Sequence, residues 1–298
     1  MLLANKNHQR KREGMASTRI WVFDVEHGFA AFMRVPSGAT MMIDCGRADD
    51  FSPALYIREY ELNQFEQQAG YPITKLVVTH PHDDHIEDIA TVIKYLQPNV
   101  IKRRRYDWEE VESESGGDYE NLRKWAAFQA GYTKTADPID WGGLDITHWG
   151  LSIEQAKELD EAKFINNSSI ITIVDANGYK IVFPGDIEKD GWQELLGRDQ
   201  DLCVALEGAN IFVTSHHGHS SGYAPEVYDV MGKPDLNLSS IHHGDLDVEK
   251  AYSSPDRARG VTWQGEPRYH FTTRKDGTML LEIDQNGHGR VQFLGPAY

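Results

Sequence analysis

The sequence predicts an α/β protein built as a four-layer αββα sandwich, and three observations carry that prediction. Strands and helices alternate along the 298 residues, and the order strands, helix, strand, helix occurs twice. In each half a mostly apolar strand, KLVVT at 75–79 and NIFVTSHHG at 210–218, delivers histidines at its C-terminal end. Two mixed sheets, each covered by helices on one face, then have to pack sheet against sheet.

Residues 1–18 open as MLLANKNHQRKREG, with Lys or Arg at 6, 10, 11 and 12 and no apolar core of a signal peptide. They read as a disordered basic tail ahead of a single domain at 19–298. IWVFDV at 20–25 is the first strand. Residues 29–35 and 39–44 are the next two, joined by the turn Pro36-Ser37-Gly38. A helix follows over 53–69, with Leu55, Leu62, Phe65 and Ala69 roughly on one side and Gly70 at its end. After the 75–79 strand, Ile86, Ile89, Ala90, Ile93 and Leu96 recur at helical spacing until Pro98.

Residues 102–136 break the pattern. KRRR at 102–105 precedes seven acidic residues between Asp107 and Glu120, which predicts an exposed charged insertion with a helix at 118–130. The second half brings strands at LDIT from 144, SIITIVD at 169–175 and YKIVFPGD at 179–186, the last two joined by the tight turn Ala176-Asn177-Gly178. A helix is expected at 190–197, and further strands near 236–241, 269–273, 278–283 and 290–294.

A hydrophobic fraction of 40% supplies a real core, and a net charge of −16 argues against non-specific adhesion to nucleic acid or to an anionic membrane. It does not exclude a phosphate substrate, because bound cations reverse the field locally. Cys45 and Cys203 are the only cysteines. They form no disulfide framework and fit a reducing cytoplasm. No apolar window approaches the length that spans a bilayer, so no membrane partner is expected.

The stretch THPHDDHIEDI, 79–89, concentrates potential ligands. A lone surface histidine is usually only polar decoration. Here His80 and His82, two apart on extended chain, can point to one metal, while Asp84 and His85 follow in the turn and reach a neighbouring position. Zinc accepts imidazole nitrogen and carboxylate oxygen together, and manganese tolerates the same set. Asp186 ends one strand as PGD, and SHHGHS at 215–220 ends another with His216, His217 and His219. One carboxylate offers an oxygen to each of two ions, so Asp186 is placed to bridge, and ions about 4 Å apart clamp a nucleophile and a phosphoryl oxygen together.

With these motifs the chain resembles the metallo-β-lactamase fold superfamily, whose HxHxDH signature is matched by His80-Pro81-His82-Asp83-Asp84-His85. More narrowly it resembles the hydrolase domain attached to the competence protein ComEC and its stand-alone relatives. Asp24-Val25-Glu26-His27-Gly28-Phe29-Ala30, Ile43-Asp44-Cys45-Gly46, Asn166-Asn167-Ser168-Ser169, Gly185-Asp186-Ile187-Glu188, His216-His217-Gly218-His219-Ser220 and Thr272 to Gly277 stand where that group has its motifs. The resemblance covers residues 19–285. It implies two divalent ions, Zn²⁺ or Mn²⁺. One is held by His80 and His82, the other by Asp84, His85 and a histidine of the 216–217 pair, with Asp186 between; His217 is favoured as the ligand and His216 as a contact to phosphate or hydroxide. His148 and Asn167 are the nearest candidates for a further ligand that many members supply, and the ComEC-like pattern favours the asparagine. Where the group has a late N-x-YGHP-like segment, this chain has IHHGDLD, 241–247, which offers His242 and His243 beside a leaving group.

The reaction so implied is hydrolysis of a phosphodiester by a metal-bound hydroxide. Asp84 would orient the nucleophile, and His216, His242 or His243 would give a proton to the leaving oxygen. The leading expectation is a nuclease acting on DNA. A cyclic-nucleotide phosphodiesterase or a hydrolase of small esters, lactones or thioesters is the alternative, because long DNA gains affinity from basic tracks and KRRR is the only one in the folded region. A metal-stabilised interaction protein is the remaining class. Homo-oligomerisation, or a protein partner at the acidic insertion, is compatible with all three.

Overall fold

A computed structural model describes residues 17–115, 119–242, 244 and 247–295. The first half contains β1 (Ser17–Val22), β2 (Ala31–Arg34), β3 (Thr40–Ile43), β4 (Ile73–Val77) and β5 (Pro98–Lys102). Its helices are α1 (Pro53–Tyr56), α2 (Gln64–Gln67), α3 (Asp83–Ile86), α4 (Ile89–Tyr95), α5 (Trp108–Ser115) and α6 (Glu120–Ala130). The second half contains β6 (Asp145–Trp149), β7 (Ile171–Ala176), β8 (Tyr179–Phe183), β9 (Ile211–Val213), β10 (Leu236–Ser239), the hairpin β11 (Val261–Trp263) and β12 (Glu266–Arg268), and β13 (His270–Thr272). Helices α7 (Ile153–Leu159), α8 (Phe164–Asn167), α9 (Lys189–Arg198), α10 (Gln200–Leu206), α11 (Pro225–Met231) and α12 (Thr273–Asp276) lie among them, and β14 (Met279–Asp284) and β15 (Gly289–Phe293) close the chain.

Two mixed sheets result, in the orders β15-β14-β1-β2-β3-β4-β5 and β13-β10-β9-β8-β7-β6. Most of their strands are buried on both faces, so they are nearly continuous in apolar residues. Alternation then sorts the side chains. Ile20, Val22, Met33, Ile43 and Val77 of the first sheet meet Val174, Ile181, Phe183, Val213 and Leu238 of the second in one core between the sheets. The neighbouring positions Trp21, Phe32, Leu76 and Val78, with Ile173, Val182 and Phe212, face outward under the helices, against Ile89, Val92, Trp192 and Leu195 among others. Each large side chain fully buried in this way contributes about 1.5–3 kcal/mol. The expected αββα layering is therefore present.

Four expectations need correction. First, β1 begins at Ser17, and Ser17 and Thr18 pair with Asp284 and Ile283, so ordered structure starts inside the stretch assigned to the tail; residues 1–16 lie outside the described residues. Second, the helix expected at 53–69 is three short pieces. Leu62 is extended, and Asn63 starts α2 with a capping box to Glu66, a local start that outcompetes continuation. Third, Pro98 opens a strand instead of merely ending a helix. β5 is an edge strand, where a missing N–H is tolerated.

Fourth, the charged segment 102–136 is not an exposed appendage. Val111, Leu122 and Trp125 are buried in the outer core, and Asn121 Nδ2 donates to Asp83 Oδ1 at 3.0 Å. Two of the four basic residues at 102–105 are tied internally. Arg103 bonds Gln129 and the Tyr132 carbonyl, and Arg104 donates to the Ser168 carbonyl. Helices α7, α10 and α11 and the β11–β12 hairpin had no sequence expectation.

Candidate metal centre

The donors gather where strands of both sheets end. β4 runs into His80, β8 into Pro184-Gly185-Asp186 and β9 into Ser215-His216-His217. The loop carrying His80 to His85 is held by the first strands. Phe29 N–H donates to the Asp84 carbonyl, and Cys45 N–H to the His85 carbonyl. Gly28 and Gly46 make that approach possible, because a Cβ on either would collide with the Asp84 carbonyl oxygen. His216 and His217 both adopt left-handed backbone, at φ 50° and 56°. Two consecutive non-glycine residues there are strained, and such strain is a mark of functional loops.

Two groups of donors converge: His80, His85 and Asp186, and Asp84, His85 and His217. Asp186 Oδ1 lies 3.3 Å from His85 Nε2, and its Oδ2 lies 3.2 Å from His217 Nε2 and 3.8 Å from His80 Nε2. Asp84 Oδ2 is 3.2 Å from His217 Nε2 and 3.8 Å from His85 Nε2. Asp186 thus faces histidines of both groups. Asp84, His85 and His217 come together as one group; His82 belongs to neither group and instead places Nδ1 3.0 Å from His80 Nε2.

Outside this cluster stand the other sequence candidates. His216 is partly exposed, hydrogen-bonded through Nδ1 to Ser221 Oγ at 2.8 Å, with Nε2 3.9 Å from Asp186. His219 stacks on it at 5.3 Å. At the mouth, His27 reaches within 3.6 Å of Asp84, and the exposed His242 sits 6.5 Å from the His27 ring. His243 lies outside the described residues.

His148 is a correction. It is on β6, bonded to Lys75 and Thr172, because β6 is the far edge of the second sheet. Asn167 is buried, its Oδ1 accepting from Glu188 N–H at 3.0 Å.

Sequence reasoning gave no site role to the residues behind the donors. His85 Nδ1 donates to Asp44 Oδ2 at 2.8 Å, and Asp44 also accepts from Thr79 N–H and Oγ1 at 2.7 Å each. His80 Nδ1 has Thr79 Oγ1 at 3.1 Å and Ser169 Oγ at 3.3 Å. Such outer bonds fix ring orientation and leave each Nε2 turned inward. The Asp-Cys-Gly strand end was the only sequence signal for Asp44.

The carboxylates of the cluster favour protons on two of its imidazoles. Burial works against a charged His85, but Asp186, Asp84 and Asp44 outweigh it and hold the imidazole well above its ordinary range. His217 is likewise raised, to about 10, as Asp186 and Asp84 overcome burial. Burial acts to raise Asp84 and Asp186, yet the neighbouring imidazolium groups hold both carboxylates well below their usual range. His80 is pushed down by burial and by His85. A dication would replace those protons, and the imidazole and carboxylate donors with their outer hydrogen bonds fit one.

The sequence profile of the family described as the Metallo-beta-lactamase superfamily matches residues 24–198. Among solved structures, the chain is similar to a metallo-beta-lactamase with a HARLDQ motif from Cronobacter sakazakii, at 14% identity over 65% of this chain and 73% of that one, TM-score 0.37. It is also similar to zinc-bound PqqB from Methylobacterium extorquens, at 13% identity over 62% and 58%, TM-score 0.36. A third likeness is an archaeal metallo-beta-lactamase superfamily protein from Sulfolobus tokodaii, at 14% identity over 70% and 83%, TM-score 0.36. No curated protein gives a significant match to the sequence. Among the described residues no helix is long and apolar enough to cross a membrane.

Proposed function

The chain belongs to the metallo-beta-lactamase superfamily, and from that premise we propose that it is a phosphodiester hydrolase acting on DNA as a nuclease. The coarser statement, a metal-dependent hydrolase, follows from the fold and the two donor groups. The observation that carries the finer one is Asp186, whose two oxygens face histidines of both groups. A carboxylate so placed suits a pair of cations, and a cation pair suits a phosphodiester.

Zn²⁺ or Mn²⁺ held there would supply Lewis acidity and charge for the phosphoryl oxygens. His80, His82, His85, His217, Asp84 and Asp186 are the proposed ligands, with His82 turning from His80 to complete its group. Asp84, on the side of the cluster facing His27, orients the attacking water. His216 and His242 are the described groups able to pass a proton to the leaving oxygen, and His243 is the third candidate. The narrower likeness to the ComEC-attached hydrolase rests on the sequence motifs quoted above.

A specific observation favours a second reading, a small phosphodiester such as a cyclic nucleotide. Arg103 and Arg104 are hydrogen-bonded to backbone carbonyls, which shortens the basic run that long DNA would follow. The test is to strip metal, restore Mn²⁺ or Zn²⁺ singly, and offer linear double-stranded DNA and a cyclic nucleotide in parallel, with Asp84→Asn as control. DNA degradation lost in the variant supports the nuclease. Turnover of the cyclic nucleotide alone supports the second reading, and turnover of neither by metal-loaded protein overturns both.

A further inference from the structure

β5 and β6 are the outer strands of their sheets on one side of the sandwich, and the space between them is cationic. Strand register decides this. Lys75 pairs with Val100 and Val77 with Lys102, so all four share the face on which Val77 packs into the core between the sheets. On the opposing sheet His148 pairs with Thr172 and Ile146 with Val174, and Val174 belongs to that same core. The seam is apolar inside and carries Lys75, Lys102 and His148 toward its open edge, with Arg104 two residues beyond Lys102.

Lys75 Nζ lies 2.6 Å from His148 Nε2, and His148 Nδ1 lies 3.0 Å from Thr172 Oγ1. An ammonium only donates, so Nε2 accepts and the ring proton sits on Nδ1. Burial, then Lys75 and Lys102, keep His148 neutral with its pKa pushed down to about 3. Burial and Lys102 lower Lys75 to about 8, and burial and Arg104 lower Lys102.

Arg104 donates Nε–H to the Ser168 carbonyl at 3.0 Å. Its guanidinium lies over Gly150, where a Cβ would come within 2.9 Å of Nη2. Among the described residues no carboxylate stands within ion-pair distance of Lys75, Lys102 or Arg104; Glu154 acts on Arg104 only as a more distant charge. Three cations gathered without a counter-ion repel one another, in a chain whose net charge is −16.

We propose that this seam is a binding site for a phosphate-class oxyanion, held by Lys75, Lys102 and Arg104 and separate from the donor cluster. The charge and the guanidinium fork suit a tetrahedral dianion. The site has a physical link to the donors. Ser168, which Arg104 holds, precedes Ser169, whose Oγ accepts from Asp186 N–H at 3.1 Å and lies 3.3 Å from His80 Nδ1.

The experiment is calorimetric titration of the purified full chain with inorganic phosphate, beside Lys102→Gln, Lys75→Gln and Asp84→Asn. Lys102 is exposed, so its variant folds even where Lys75→Gln does not. Saturable binding that weakens by about tenfold or more in Lys102→Gln and survives in Asp84→Asn is the expected result. Absence of saturable binding up to about 10 mM phosphate overturns the proposal. So does binding that Asp84→Asn abolishes and Lys102→Gln leaves intact, because the anion would then sit among the donors. Titration with adenosine monophosphate separates the sources: tighter binding than phosphate assigns the site to the terminal phosphate of a nucleotide, and equal or weaker binding assigns it to free phosphate.

Discussion

His85 donates its Nδ1–H to Asp44 at 2.8 Å, with both side chains fully shielded from water. His85 is shared by both donor groups, so this bond aims the one imidazole on which both depend. Asp44→Asn keeps the shape and removes the charge. Metal affinity, measured by competition with a chromophoric chelator, is expected to fall about 10–100-fold with the fold retained by circular dichroism. Unchanged affinity would remove Asp44 from the site.

Asp84 and Asp186 carry the charge that the donor cluster offers to a cation. Asp84→Asn is expected to lower the hydrolysis rate at least about 100-fold in metal-saturated protein. Rates at fixed free metal, with bound metal counted separately, check this; a loss below about tenfold would take Asp84 out of the chemistry.

Metal bound to the folded state alone adds to its stability. Chelation is expected to lower Tm, and restoring metal at about 100 times its Kd to return about 2.7 kcal/mol. Thermal melts with and without chelator read this out, and coincident melts would mean that the folded chain holds no such ion.

Glu61 offers a pH dependence well away from the site. Burial raises its carboxyl from 4.5 to about 7, against the opposing pull of Arg19 and Arg34, and its side chain is only 9% exposed. The folded state therefore holds this proton more tightly than the unfolded chain. Stability from this residue is full below about pH 4.5 and is lost as pH rises through 7. Denaturant titrations should show Glu61→Gln flattening the pH profile between these limits, and a variant parallel to the parent profile would contradict the assignment.

The charged segment behaves as core, not decoration. Trp125 is 1% exposed, and Trp125→Ala is expected to cost about 3–5 kcal/mol by chemical denaturation. Phe65→Ser, at a side chain 84% exposed, should change little.

Much of this was legible because donors were attached to strands. THPHDDH after KLVVT, PGD after YKIVF and SHHG after NIFV each join an apolar run to ligands at its C-terminal end, and strands running in the same direction, as β8 and β9 do, bring such ends to one rim. What stayed hidden depended on partners distant in sequence. Asp44 resembles any strand-terminal aspartate until His85 is seen beside it. KRRR reads as a surface patch, yet Arg103 is bonded to Gln129 and Arg104 to the Ser168 carbonyl, partners distant in sequence, while Lys102 stays exposed at the end of β5. Trp125 sits in a helix with a weak apolar stripe, and only the surface left open by α3 and α4 explains its burial.

β14 lies between β1 and β15, and Asp24 N–H is bonded to Thr278 across 254 residues of sequence. During synthesis the first sheet is therefore incomplete until almost the whole domain has left the ribosome. For that interval β1 presents an unpaired edge, and contacts so far apart in sequence slow folding. Chains cut before Met279 are expected to aggregate even with every proposed metal ligand present, which makes timely release of β14 a condition for assembling a site to which it contributes no donor.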